Sequence, residues 1–391
     1  MSIFLWNSEP SKIFVWSSEV ASVRAGDTKV RPVNRYKTFT ISRTEQSNMS
    51  SWWTYSDDAA WLTAGSTDFD EFFWYSVVSL KNDWTEYYEY TQTQSWGYWK
   101  LSVTSVWNTY NVMIKFPVRW IKMTKSWSIV TLSITDWLGR ESEWYQYYAF
   151  TKWNTVKDNL YLWAYKMSSG YVSKSSKALL TWETRAEVRN WIISTYWNWT
   201  WYSQITWYPR QYVNALYMMK YWNPKCRDVV WKWYSNSSNR YPTNTFSTYY
   251  TTDATFWGGD TTQVRLFWLE DLWGNAYEWI DWCYLDSSKN VTVDKTNSVF
   301  QDSDYATNLG TSVLWYIWGI DGSSDGMFLS KTSQWNSNSY YCSTSWLSYS
   351  SNVIKTWGCY KDDWVANIFY MDIWGFSDYS KRDYWSRLMY L

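Results

Sequence analysis

The dipeptide Trp-Asn occurs six times in this chain, at Trp6-Asn7, Trp107-Asn108, Trp153-Asn154, Trp197-Asn198, Trp222-Asn223 and Trp335-Asn336. Gly-Asn makes hairpin turns, because glycine takes φ > 0 without a Cβ clash. Trp-Asn has no such rationale. The stretches IFLWNSE, IFVWSSE and VRAGDTK begin at Ile3, Ile13 and Val23, and Trp6 and Trp16 fill the slot that holds Gly26 in the third copy. Trp197-Asn198-Trp199-Thr200-Trp201 would place three indoles in one short polar loop. An indole contributes only by burying roughly 150–250 Å², and a loop offers nowhere to bury it. The chain carries 38 Trp and 14 Gly in 391 residues, although glycine averages about 7% of an ordinary protein. Many tryptophan positions therefore read as glycine positions. Some bacterial lineages and their phages decode UGA as glycine, and a translation that reads UGA as tryptophan would leave this mixture. Trp207, Trp273 and Trp279 lie in apolar or motif contexts and are expected to be true tryptophans. The competing reading is a carbohydrate binder that uses its indoles as stacking platforms.

The remaining composition excludes more than it selects. Formal net charge is zero, so nothing points to a nucleic acid or another polyanion as partner. No apolar run is long enough to span a bilayer, and no basic start precedes an apolar segment. Membrane insertion and a signal peptide are not expected. Histidine is absent, which removes Ser-His-Asp and Cys-His catalysis and HExxH zinc sites. The four cysteines, Cys226, Cys283, Cys342 and Cys359, form no CxxC pair, so neither a structural zinc nor a disulfide framework is indicated.

Three regions follow from the patterning. Residues 1–33 form a short β-repeat module that serves attachment or packs as a small sheet on the next domain. Residues 34–109 are Ser/Thr/Tyr-rich and read as a small β-rich domain, with the acidic Asp68–Phe73 stretch as a solvated turn entering an apolar strand. Residues 110–391 form the main domain. Val112–Pro117, Ser128–Ile134 and Asn159–Leu162 read as strands. Thr184 with Glu187 three residues on is a capping box that starts one helix. Pro209 opens a second helix over 208–221, which places Tyr212, Ala215, Leu216 and Met219 on one face. The rest, 224–391, reads as loop-rich with short strands. Two helices in an irregular β framework predict an α+β domain.

The segment from Glu270 to Asp281 contains Gly274-Asn275-Ala276-Tyr277-Glu278-Trp279. It resembles the GN-x-x-EW signature of the formylglycine-generating-enzyme-like branch of the C-type lectin fold. Bottom-up, Gly274-Asn275 is a tight turn, Tyr277, Trp279 and Ile280 are apolar anchors, and Glu278 and Asp281 are structural carboxylates bonding loop amides. With tryptophan read as glycine, Trp357-Gly358 becomes a GG pair with Cys359 in the slot of a following serine. The terminus from Asp383 becomes DYGSRLMYL, with Arg387 inside a G-S-R-L ending. That ending is similar to those of variable proteins of diversity-generating retroelements and related phage tail proteins. The resemblance covers roughly residues 110–391. It implies a C-type-lectin-like domain with no cofactor, a structural Ca²⁺ being the one ion that the carboxylates would suit.

The resemblance also frames function. Formylglycine-generating enzymes hold copper with two C-terminal cysteines. Here Cys342 and Cys359 are the only late cysteines, and nothing in the sequence brings them together, so an oxidase is the weaker reading. Retroelement-diversified proteins instead display a variable surface. Between about 357 and 386 the candidate positions are Cys359, Tyr360, Asp362, Asp363, Val365, Asn367, Phe369, Tyr370, Asp372, Phe376, Ser377, Asp378, Tyr379, Asp383 and Tyr384. Tyrosine gives contact area at low entropic cost, and Ser, Asn and Asp adapt their hydrogen bonds. The expectation is an adhesion protein of a phage tail or cell surface that binds a protein or glycan receptor, with a homotrimer as the natural oligomer for a tail tip.

Overall fold

The computed structural model describes residues 23–25, 28–30, 36–45, 53–81, 85–90, 92–95, 98–101, 110–137, 139–174, 177–180, 182–196, 202–221, 223–224, 226–229, 249–251, 265–298, 300–313, 315–335, 341, 344–347, 353–359, 362, 366–373 and 384–391. The chain divides into two compact units, Met1–Lys37 and Thr38–Leu391. In the first, Val23–Ala25 pairs antiparallel with Thr28–Val30, Ala25 opposite Thr28. These two strands lie in the third repeat copy and just beyond it. The first two copies lie outside the described residues.

The second unit is built on three larger sheets. A four-stranded antiparallel sheet runs in the order Trp120–Ser126, Ile129–Thr135, Thr38–Thr44, Trp53–Asp57. The alternation in Thr38–Thr44 explains its two faces. Thr38, Thr40 and Ser42 meet Thr135, Ser133 and Thr131 in a ladder of hydroxyl hydrogen bonds at 3.0, 2.8 and 2.9 Å. Phe39 and Ile41 point the other way into the core, where the Phe39 ring stacks on Phe72 at 3.9 Å. A six-stranded antiparallel sheet has the order Tyr202–Gln204, Leu388–Tyr390, Asn159–Trp163, Asn111–Pro117, Ser76–Leu80, Glu86–Glu89. Strands from either side of residue 109 thus share both sheets, and the expected boundary at 109/110 falls inside one compact unit. The third sheet runs Ser330–Gln334, Trp315–Ile320, Thr344–Leu347, Met371–Ile373, Lys355–Thr356, Tyr277–Trp279, Tyr384–Trp385.

Among the described residues, two helices exceed eight residues: Arg185–Thr195 and Trp207–Tyr221. The Thr184 hydroxyl accepts from the Glu187 N–H, and the Glu187 carboxylate accepts from the Thr184 N–H, which completes the expected capping box. Trp207–Tyr221 is buried along its whole length rather than on one face. It packs on Tyr148–Phe150, Asp68–Phe73 and Thr38–Thr44. Its charged residues are absorbed by specific partners, whereas the Gln211 and Asn214 amides are buried without a hydrogen-bond partner among the described residues. Lys220 pairs with Asp70 at 2.6 Å, and Arg210 donates to the carbonyls of Ile368 and Tyr370. Asp68–Phe73 is a short helix rather than a turn into a strand. Its Phe69, Phe72 and Phe73 spacing seats three rings in the core, and its early carboxylates suit a helix N-terminus.

The α+β expectation is corrected by this census. Among the described residues strand makes up 40% and helix 16%, so what is described is β-rich, in several mostly antiparallel sheets. The segment read as loop-rich with short strands after residue 224 supplies all seven strands of the third sheet.

Backbone conformation bears directly on the tryptophans. Among the described residues, eighteen non-glycine residues have positive φ, and nine of them are tryptophan: 74, 127, 144, 153, 182, 268, 282, 315 and 357. A bulky L-residue in that region is a steric outlier. Register shows why the turns need it. Ser126 pairs with Ile129, so Trp127-Ser128 is a two-residue hairpin loop with φ +57° at its first position, the place for glycine in a type II′ turn. Lys152 pairs with Thr155 around Trp153-Asn154, at +47° and +62°, the pattern of type I′. Trp74 caps helix Asp68–Phe73 in the left-handed conformation, its N–H bonded to the Asp70 carbonyl, where glycine normally stands. Trp127 and Trp144 are 95% and 78% exposed, so no packing offsets the strain. Trp207, Trp273 and Trp279 are buried and have no positive φ.

Trp127→Gly is expected to stabilise the protein by about 0.5–1 kcal/mol, since relief of left-handed strain outweighs glycine's extra unfolded-state entropy. Trp207→Gly is expected to destabilise it by about 4 kcal/mol or more through core loss. Urea denaturation of both variants checks the pair.

Candidate functional site

The GN-x-x-EW turn and the C-terminal Arg387 meet in the interior. Gly274 and Asn275 have φ of +78° and +58°, a tight turn that throws Tyr277–Trp279 into the seven-stranded sheet. The Arg387 guanidinium sits 3.1 Å from Glu278 Oε1, and both side chains are fully buried. The same guanidinium donates to the carbonyls of Trp163, Ala164 and Glu270 at 2.5, 3.0 and 2.6 Å. Lys166 Nζ lies 3.6 Å from Glu278 and donates to the carbonyls of Gly274 and Ala276. Burial pulls the Lys166 amine below its ordinary value, and Glu278 opposes that pull. Asn275 donates its amide to Asp271 at 2.7 Å. The turn is thus held by cations that reach it from segments remote in sequence.

Asp281 forms the neighbouring knot. Arg189 grips both its oxygens, Gln204 donates at 3.3 Å, and the Trp282 N–H donates at 3.0 Å. Burial alone would raise the Asp281 carboxyl, and Arg189 overrides it and holds the group below the usual carboxylate range. Arg189 and Arg185 share Asp302 on their outer side. Lys152 lies over the Trp282 ring at 4.1 Å. The carboxylates Glu278 and Asp281 therefore act chiefly on guanidinium and ammonium groups, with one loop amide, rather than on loop amides alone. Among the described residues, no cluster of three or more Cys, Asp or Glu side chains is placed to hold a metal ion.

Of the fifteen positions expected to face a ligand, seven are described. Cys359, Asn367, Phe369, Tyr370, Asp372 and Tyr384 are buried, and Asp362 is partly exposed. Tyr360, Asp363, Val365, Phe376, Ser377, Asp378, Tyr379 and Asp383 lie outside the described residues, as does Cys342. Asn367 caps its own loop, accepting from the Phe369 N–H at 2.8 Å. Phe369 packs on Phe328 and Tyr341. The others close around Lys355, which the sequence reading missed. Its ammonium contacts Asp372 at 3.2 Å and donates to the Tyr384 hydroxyl at 2.6 Å. It also faces the Tyr277 and Tyr384 rings at 4.5 and 4.1 Å. Tyr277 in turn donates to Asp362 at 2.8 Å. Burial lowers the Lys355 amine and raises the Asp362 carboxyl. A single lysine inside the apolar run Val353-Ile354-Lys355 was the available signal.

An open groove of about 740 Å³ lies elsewhere, lined by Lys125, Tyr145, Tyr147, Lys295, Asp321 and Asp325 among others. None of the fifteen positions lines it. Lys295 and Asp325 pair across it at 2.7 Å.

The sequence matches no family model and no curated protein. Among the described residues, no helix is long and apolar enough to cross a membrane.

Two outcomes follow from these charges. Glu278→Gln leaves Arg387 and Lys166 without their carboxylate and is expected to cost about 3–5 kcal/mol, read by urea denaturation. Burial lowers the Lys152 amine to about 7, whereas the unfolded amine keeps its proton to about pH 10.4. Between those values the unfolded state binds more protons, so stability rises with pH across the window. Lys152→Met is expected to flatten that rise in a series of melts from pH 7 to pH 10.

Proposed function

We propose that the chain is a receptor-binding or adhesion protein whose stretch from about 357 to 386 contacts a protein or glycan on a target surface, and that its left-handed tryptophans are glycines in the protein its own host makes. The observation that carries the first part is the buried pair of Glu278 and Arg387. Glu278 belongs to the GN-x-x-EW turn and Arg387 to the G-S-R-L ending. The two stretches that resemble formylglycine-generating-enzyme-like and retroelement-diversified proteins thus form one unit. That unit anchors both ends of the C-terminal stretch. Lys355–Thr356 and Tyr384–Trp385 each pair with Tyr277–Trp279, on opposite edges. A stretch fixed at both ends and at Met371–Ile373 can vary between those anchors without loss of the scaffold. Contact with the target falls to Tyr360, Asp363, Val365, Phe376, Ser377, Asp378, Tyr379 and Asp383, because six of the remaining seven are buried.

The left-handed tryptophans argue against stacking platforms. Six of the nine are exposed, at residues 74, 127, 144, 153, 182 and 315; all but Trp315, which opens a strand, stand at a turn, a bend or a helix end. UGA at these codons, with UGG at Trp207, Trp273 and Trp279, is the expected gene sequence. UGG at Trp127 and Trp153 would end the recoding idea.

Alanine at Tyr360 and Tyr379 together is expected to weaken adhesion to the target cell at least tenfold without changing the melting temperature. The same locus is expected to carry a reverse-transcriptase gene and an imperfect template repeat. Unchanged adhesion sinks the binding surface, and a locus without the repeat sinks diversification while leaving fixed binding intact.

A further inference from the structure

We infer that Lys355 and Asp372 are the partners of an intramolecular amide cross-link between neighbouring strands, a modification site that stands independently of the adhesion reading. The two residues are directly opposite in the antiparallel pairing of Lys355–Thr356 with Met371–Ile373, so their side chains leave the sheet on the same face. Nζ of Lys355 and Oδ2 of Asp372 are 3.2 Å apart. Both side chains are closed off from water, with 4% and 9% of their surface accessible. The walls are aromatic: the rings of Tyr277 and Tyr384 flank the amine, and Tyr370 stacks on Tyr277 with centroids 5.9 Å apart.

Such surroundings favour a neutral amine and a neutral acid over an ion pair, because both charges lose their hydration. One ammonium proton then passes to the Asp372 carboxylate. The free Nζ lone pair adds to Cγ of Asp372, and a C–N bond forms. A second proton moves from nitrogen to the departing hydroxyl, the C–O bond breaks, and one water leaves. No oxidant or cofactor is required. Held 2.6 Å from Nζ, the Tyr384 hydroxyl is placed to relay that proton. Asp362 adds a second carboxyl to the cluster, tied to the Tyr277 hydroxyl at 2.8 Å and to the Cys359 N–H at 2.5 Å. Burial raises its affinity for a proton. The register holds the reacting atoms in place before reaction, which is the part of the barrier that proximity removes.

The amide would clamp the strand that precedes the C-terminal stretch to a strand that lies within it. Met371–Ile373 also pairs in parallel with Thr344–Leu347, so a covalent bond at Asp372 reinforces the middle of the seven-stranded sheet.

Peptide mapping of the full-length purified chain tests this. The expected result is a branched peptide that joins Lys355 to Asp372, one water lighter than its two parts, with trypsin failing to cut after Lys355. Lys355→Arg keeps the charge but forms no such amide, and is expected to restore two separate peptides. Tyr384→Phe is expected to slow the loss of water after expression, followed by intact mass over time. Free Lys355 and Asp372 peptides from the folded wild-type chain, with cleavage after Lys355, would overturn the proposal. That measurement needs no variant to fold.

Discussion

The buried contact between Arg387 and Glu278 is the interaction on which the rest of the molecule depends. One guanidinium satisfies a carboxylate and three backbone carbonyls that come from Trp163, Ala164 and Glu270. Those carbonyls belong to the end of a strand in the six-stranded sheet and to the approach of the GN turn. Arg387 therefore ties two sheets and a turn through one planar group, which its fixed fork of donors suits and an ammonium would not. Lys166 then covers the remaining side of Glu278. Replacing any member strands a charge in a dry interior, where it costs several times what the pair contributes.

Part of this architecture was legible in the sequence. The capping box at Thr184 and Glu187 marked the start of helix Arg185–Thr195, and the apolar runs at 112–117 and 159–162 marked central strands. Gly274-Asn275 was legible as a tight turn. Each of these is a local signal, set by backbone preference or by the period of side chains on one element. What escaped was non-local. Nothing near Lys355 in the chain announces Asp372 or Tyr384, and nothing near Glu278 announces Arg387. The Tyr- and Asp-rich composition of 357–386 suits a ligand surface and a buried polar cluster equally, so composition alone assigned Tyr370, Asp372 and Tyr384 to the outside. The helix Asp68–Phe73 escaped for another reason: at six residues it is too short for periodicity to separate it from a turn.

The tryptophans show how a backbone can reveal what a side chain conceals. A hairpin of two loop residues has few solutions, and the register at Trp127 and Trp153 leaves only those that demand a left-handed residue. The same demand recurs at a helix end and inside the core, at Trp74, Trp268 and Trp357. Trp357 stands beside Gly358, where an added Cβ would come within 2.6 Å of Ala366. Two successive left-handed residues are the backbone that a glycine pair adopts most readily.

The six-stranded sheet has a consequence for how the chain reaches its fold. Strand Leu388–Tyr390 lies between Tyr202–Gln204 and Asn159–Trp163, and so occupies an interior place in a sheet whose other members were made long before it. During synthesis Asn159–Trp163 must therefore wait with an unpaired edge while more than half of the chain emerges. Such a sheet closes late and slowly, because distant pairing has to absorb the loop entropy first. Until then its open edge invites any passing strand. A chaperone that shields this edge until residue 390 has emerged would determine yield more than any later gain in stability.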